Sequence, residues 1–186
     1  MKLTYSVEKA DIGNSINTIL STKLNISTRL LTKLIKNEKI SINQNKCNTR
    51  NLVNLGDTIT IDFDLPEENS NILATTMPLD IIYEDEWFLV VNKPANMPIH
   101  PSRFHYEDSL SNGVKAYFDS ICLPKKIRPV NRLDLDTSGL VIFTKCEYIQ
   151  ECFIKQMKKN KFQKEYLCLV ERAIRKKNRY HYLTNC

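Results

Sequence analysis

Apolar residues recur at two different periods along this chain, and the switches between the periods mark out its elements. Ile16, Ile19 and Leu20 stand at helical spacing, and Leu30, Leu31, Leu34 and Ile35 form a second apolar helical face. On another side of that second helix Arg29, Lys33 and Lys36 follow one another at i, i+4 and i+7. Ser27 or Thr28 suits its N-cap, and Asn37 its stop. The period then changes to two: "KISIN" (39–43) alternates like a strand, and "GDTITIDF" (56–63) does so again after a turn at Gly56. The pattern therefore predicts helix, helix, strand, strand, with a basic helix face beside a small sheet.

Residues 65–77, "LPEENSNILATTM", lose the periodicity and read as a linker. A second unit opens with "PLDIIYEDEWFLVVNKPANMPIHPS" (78–102): a short strand, an acidic turn at Glu84 to Glu86, an apolar strand from Trp87 to Val91, and a loop kept extended by Pro94, Pro98 and Pro101. Residues 108–119 predict a helix with Leu110, Val114, Tyr117 and Phe118 facing inward, weakened by ~1 kcal/mol through Gly113. Leu140 to Phe143 has the character of a buried strand. From Arg172 onward "RAIRKKNRYHYLTNC" shows no alternation and reads as a basic tail.

Composition narrows the class. Hydrophobic residues make up 42% and charged residues 26%, the balance of a soluble globular protein and not of a disordered one. A length of 186 residues allows one medium domain or two small ones. No apolar run approaches the roughly 20 residues of a membrane span, and "MKLTYSVEKADIGNSIN" lacks an apolar signal segment, so a cytoplasmic protein is expected. Six cysteines without a CxxC pair fit free thiols, and His100, His105 and the cysteines lack metal-ligand spacing. Net charge is +6, divided as +3 over residues 1–64, −6 over 65–124 and +9 over 125–186. Basic ends suit a polyanion gripped at two places, although a coding bias toward Lys, Ile and Asn would produce the same totals.

The candidate chemistry is concentrated in "RPVNRLDLDTSGLVIFTK" (128–145). Arg132, Asp134, Asp136, Thr137 and Ser138 precede an apolar strand, and strand ends are where sites are often assembled. Either aspartate could serve as nucleophile or general base. Asp136 to Gly139 are turn formers and are most simply a turn, which leaves Arg132 and Asp134 unexplained. Asp134, Asp136 and Ser138 also satisfy the aspartyl-phosphate motif DxDx[TS]. That chemistry wants the apolar strand ahead of the first aspartate, and here it follows.

"NRLDLDTSGLVIF" resembles the HRLDxxTSGL signature of the RluA family of RNA pseudouridine synthases. "LDIIYEDEWFLVVNKPANMPIHPS", "DSLSNGVKAYF" and "KFQKEYLCLVE" (161–171) resemble the same family's first block, following helix and later Lys-x-Tyr strand. Residues 14–63 resemble the alpha-L type RNA-binding domain of ribosomal small-subunit protein four. The resemblance implies that Asp134 is the catalytic aspartate of an enzyme that detaches a uracil from its ribose within RNA, turns it and rejoins it through carbon 5, without cofactor or metal. It further implies that Arg132 fills the space left by the extruded base. Tyr166 would stack on the flipped uracil and Lys164 contact phosphate or the pocket. A core position on a strand is the competing reading for Tyr166. Arg29, Lys33 and Lys36 would meet RNA through the alpha-L helix.

Two departures stand out. Asn131 replaces the signature's histidine, and an asparagine can still donate and accept to position the loop. The family's later arginine motif, whose arginine is thought to pair with the aspartate, is absent, so the resemblance implies a catalytic domain cut short after about residue 171. The expectation is an α+β chain: an alpha-L RNA-binding domain (1–64), a linker (65–77) and the first part of a mixed or antiparallel-sheet catalytic domain (78–186). It would act as a monomer on ribosomal or transfer RNA. A non-catalytic RNA-binding remnant is the alternative.

Overall fold

The alternating stretches pair as two antiparallel sheets. In the computed structural model, which describes residues 1–65, 67 and 71–169, four strands make the first: β1 (Lys2–Ser6), β2 (Ile40–Ile42), β3 (Asn45–Lys46) and β4 (Thr58–Asp62), in the order β1-β4-β2-β3. Two helices, α1 (Ile16–Thr22) and α2 (Thr28–Lys36), cover this sheet. Ile59 and Ile61 of β4 are fully buried among Ile16, Ile19, Leu20, Leu30 and Leu34. Ser15 and Ser27 cap the helices by accepting from the N–H groups of Thr18 and Leu30. β1 is not among the elements the sequence pattern predicts, and it pairs with β4 along its whole length.

The second sheet runs β5 (Asp80–Glu84), β6 (Phe88–Lys93), β7 (Gly139–Thr144), again antiparallel. One face, carrying Leu89, Val91, Val141 and Phe143, packs on Leu110, Val114 and Phe118 of α3 (Leu110–Ser120). Gly113 is placed by packing: a Cβ there would lie 2.7 Å from Met77 Cγ and 3.0 Å from Leu79 Cδ2. The helix accepts the propensity cost of glycine because the segment ahead of β5 crosses it at that point.

A fourth helix, α4 (Glu147–Lys158), follows β7 and is also not among the predicted elements. It packs back on the first unit, where the Tyr148 ring stacks on Phe63 with centroids 4.5 Å apart and the Tyr148 hydroxyl donates to the Leu24 carbonyl at 3.1 Å. The segment read as a linker carries no helix or strand among its described residues, yet it is tied down. Arg128 donates to both oxygens of Glu67 at 2.7 and 2.5 Å, and Asn112 donates to the Leu73 carbonyl at 2.8 Å.

One expectation is corrected here. Among the described residues, 161–169 do not form the strand implied for 161–171; they pair with no other strand, and Leu167 and Leu169 are fully exposed. A strand needs a partner edge, and the outer edge of β7 is already occupied by residues 128–131. Residues 170 and 171, and the basic tail after them, lie outside the described residues.

Candidate active site

The site loop is built as an extension of β7. Along the outer edge of that strand Thr144 N–H donates to the Arg128 carbonyl at 2.9 Å, and Val130 N–H donates to the Ile142 carbonyl at 2.8 Å. Asn131 continues the ladder with its side chain: Oδ1 accepts from Ile142 N–H at 3.0 Å, and Nδ2 donates to the Leu140 carbonyl at 2.9 Å. A side chain that both donates and accepts thus stands in for one more residue of strand, which answers how asparagine serves at this position. The chain then leaves the edge as Arg132, Leu133 and Asp134. Leu133 packs on the second core while Arg132 and Asp134 stay exposed.

Asp134 begins a tight turn through Leu135 and Asp136, closed by Thr137 N–H donating to the Asp134 carbonyl at 3.1 Å. The two aspartates are therefore separated by a turn, not aligned along an extended segment. Gly139 returns the chain to β7 at φ +132°, a backbone conformation that only glycine adopts without strain. The stretch before Asp134 is irregular and the apolar strand follows it, an arrangement opposite to the one aspartyl-phosphate chemistry requires.

Lys93, at the end of β6 and opposite Gly139, is the group that the sequence reading misses. It is fully buried, and its ammonium donates to the carbonyls of Pro94 (2.9 Å), Met97 (2.7 Å) and Leu135 (2.9 Å). All three of its protons are used. Burial holds its pKa below the ordinary lysine value, while the nearby carboxylates of Asp136 and Asp134 pull in the other direction. Met97 N–H also donates to the Leu135 carbonyl at 3.2 Å, so the aspartate turn is fastened to the proline-punctuated loop and to the end of β6 by two donors on one carbonyl.

His100 lies on the same side. Its pKa is pushed down, first by burial and then by the Arg132 guanidinium. The site thus presents an exposed carboxylate beside an exposed guanidinium, on a loop whose backbone is fixed from behind by a buried cation. Such a carboxylate is free to meet an electrophilic carbon or a proton of a bound substrate.

The other sequence-predicted residues lie apart from this group. Lys164 and Tyr166 are exposed on the unpaired segment after α4 and make no hydrogen bond or ring contact with the Asp134 loop among the described residues. Tyr166 is not a core strand residue. On α2, Lys33 pairs with Glu147 of α4, and Arg29 Nε lies 3.7 Å from the same carboxylate, while Lys36 is exposed. Glu151, one turn further along α4, accepts from the Ser27 hydroxyl and, at 3.3 Å, from its N–H. Part of the basic face of α2 is therefore held against acidic side chains of this chain. No cluster of metal-ligating side chains occurs among the described residues.

A family model described as RNA pseudouridylate synthase matches residues 87–185. Over 170 residues the chain is 29% identical to the RNA pseudouridine synthase YhcT of Bacillus subtilis, covering 91% of this chain and 56% of that protein. It is 30% identical over 165 residues to the ribosomal large subunit pseudouridine synthase D of Neisseria meningitidis, covering 88% and 44%. Among solved structures, the human RNA pseudouridylate synthase domain containing 1 is similar at 23% identity and a TM-score of 0.36, over 44% of this chain and 28% of that one. The chain spans about half the length of the curated relatives it matches.

Proposed function

Since the chain belongs to the RNA pseudouridylate synthase family, we propose that it isomerises uridine within RNA to pseudouridine, with Asp134 as the catalytic carboxylate. The observation that carries this reading is the exposed Asp134 on a turn pinned by Asn131 and Lys93, with Arg132 beside it. In the reaction the bond between the ribose anomeric carbon and the uracil nitrogen breaks. The ring turns, its carbon 5 bonds to the ribose, the proton on carbon 5 leaves to solvent, and the freed ring nitrogen takes up a proton, so that the product is an isomer of the substrate. Asp134 acts at the anomeric carbon or as a base, and either role requires a carboxylate within reach of the ribose.

A base inside a helix cannot reach such a group, so the uridine is extruded at a cost of a few kcal/mol. Arg132, whose planar cation both stacks and binds phosphate, occupies the space vacated in the RNA. Tyr166 stacks on the extruded uracil and Lys164 meets phosphate. Residues 1–64 act as an alpha-L type RNA-binding unit through Arg29, Lys33 and Lys36. The element order and the basic side of α2 support that assignment. Structured ribosomal RNA is the substrate class we favour, in keeping with the name of the Neisseria relative. The protein works as a monomer in the cytoplasm. No described helix is long and apolar enough to cross a membrane.

Nucleoside analysis of RNA incubated with the chain tests the proposal: pseudouridine should appear with the wild type and not with Asp134→Ala. RNA binding without turnover is the second reading, favoured by the lack of contact between the Asp134 loop and the segment carrying Lys164 and Tyr166. It predicts equal RNA affinity for both proteins and pseudouridine with neither.

A further inference from the structure

Residues 100–108, between the proline-punctuated loop and α3, hold two large aromatic rings in solvent. Phe104 is 87% exposed and Tyr106 63% exposed. The backbone that carries them is nevertheless fixed. Ser102 and His105 exchange two backbone hydrogen bonds, 3.0 and 3.2 Å, closing a tight turn with Arg103 and Phe104 at its tip. His105 Nδ1 lies 2.8 Å from Asp108 Oδ2. The buried amide of Asn112 donates to the Tyr106 carbonyl at 3.0 Å. At the base, Leu110 and Ser111 N–H groups donate to the carbonyls of Pro98 and Ile99 at 2.8 and 3.0 Å. Neither ring packs against another aromatic ring among the described residues, so their display is not a by-product of a core.

The loop starts beside the candidate active site. Its first residue, His100, feels the charge of Arg132, and Met97 just upstream is hydrogen-bonded to Leu135. Phe104 is four residues beyond His100, a reach of at most roughly 14 Å of extended chain. Glu107 and Asp108 follow directly, so the loop is a poor grip for phosphate. What it offers instead is ring faces, with the flat guanidinium of Arg103 next to them.

We propose that Phe104 and Tyr106 form a stacking platform for unpaired RNA bases that flank the uridine presented to Asp134. The inference rests on the proposed RNA-modifying function and adds to it a preference for single-stranded over paired substrate. Base stacking on an aromatic side chain tolerates any sequence, because every base has a π-face. A rigid loop loses little further freedom when a base settles on it.

The test compares binding of a fluorescein-labelled oligouridine strand and of an RNA duplex of the same length. The proteins are the wild type, the Phe104→Ala/Tyr106→Ala double variant and Phe104→Trp. The platform predicts a loss of about 10-fold or more for the strand with the double variant, duplex binding within about 2-fold of wild type, and retained strand binding by Phe104→Trp. Both side chains are exposed, so thermal melts should coincide and serve as the folding control. Equal losses on both probes, no loss on either, or no binding of oligouridine by the wild type would each overturn the platform. Pseudouridine formation is read on the same proteins. Formation without any aromatic dependence of binding sinks the platform alone, whereas aromatic-dependent binding without pseudouridine sinks the proposed function alone.

Discussion

At the scale of single residues, the candidate site depends on side chains that hold backbone as much as on Asp134, the carboxylate proposed to react. Lys93→Met keeps the length and apolar stem of the side chain but leaves the Pro94 and Met97 carbonyls without the ammonium and the Leu135 carbonyl with Met97 N–H alone. We expect a loss of about 2–4 kcal/mol in urea melts, together with a fall in turnover larger than any fall in RNA affinity. Asn131→Ala removes two hydrogen bonds at a sheet edge, where water replaces them in part. Stability should drop by only about 1 kcal/mol, while turnover should fall at least tenfold because Asp134 is no longer held. Equal turnover in this variant would show that the loop positions itself without Asn131. That Asp134 and Arg132 stand in solvent just ahead of β7 was legible in the sequence, from a polar run that precedes an apolar one. Lys93 was not, since nothing in a string of letters says that a lysine will find three carbonyls across two loops.

At the scale of elements, periodicity located α1, α2, α3, β2, β4, β6 and β7 because each buries one face in a single core, and the short β5 was placed by the acidic turn that follows it. The elements outside the prediction, β1, the two-residue exposed β3 and α4, fail that condition. β1 alternates between half-buried and exposed positions and owes its pairing to β4, more than fifty residues away in sequence. α4 has no fully buried residue; it bridges two units, with Phe153 edge-on to Phe88 of the second sheet and Tyr148 on Phe63 of the first. Its acidic residues make a prediction about α2. Glu147→Gln frees Lys33 and Arg29 from a competing carboxylate, so RNA affinity measured by titration should rise, by about 2- to 10-fold at low salt. An unchanged affinity would mean that α2 does not meet RNA through these residues. Within α3, Gly113→Ala gains about 1 kcal/mol of helix propensity but forces Met77 and Leu79 to shift. Overpacking there should win, with a net loss of about 1–2 kcal/mol in the same melts.

At the scale of the whole molecule, acid should weaken the fold through carboxylates that are paired in the folded state. Asp11 is fully buried and held below its ordinary value of 3.8, first by the Tyr5 hydroxyl at 2.6 Å and then by the Glu8 N–H at 3.1 Å. The Lys125 ammonium, 2.6 Å away, does the same for Asp64, where the first unit leads into the tied segment. Each contributes stability that is fully present above the ordinary carboxylate value. It is lost as pH falls through the lower folded value. Urea midpoints should therefore be flat from neutral pH down to about 5 and fall below about 4. Asp11→Asn should lower the plateau and flatten the fall.

If Asp134 on its pinned turn makes this chain a uridine isomerase, as proposed, the hydrogen on uridine carbon 5 is lost to water in the reaction and its release reports turnover directly. RNA tritiated at uridine carbon 5 would be incubated with the wild type and with Asp134→Asn, which removes the charge and preserves the exposed loop. Release of tritium to water by the wild type only is the predicted result. Equal release by both proteins, or none from a wild type that binds the RNA, would contradict it.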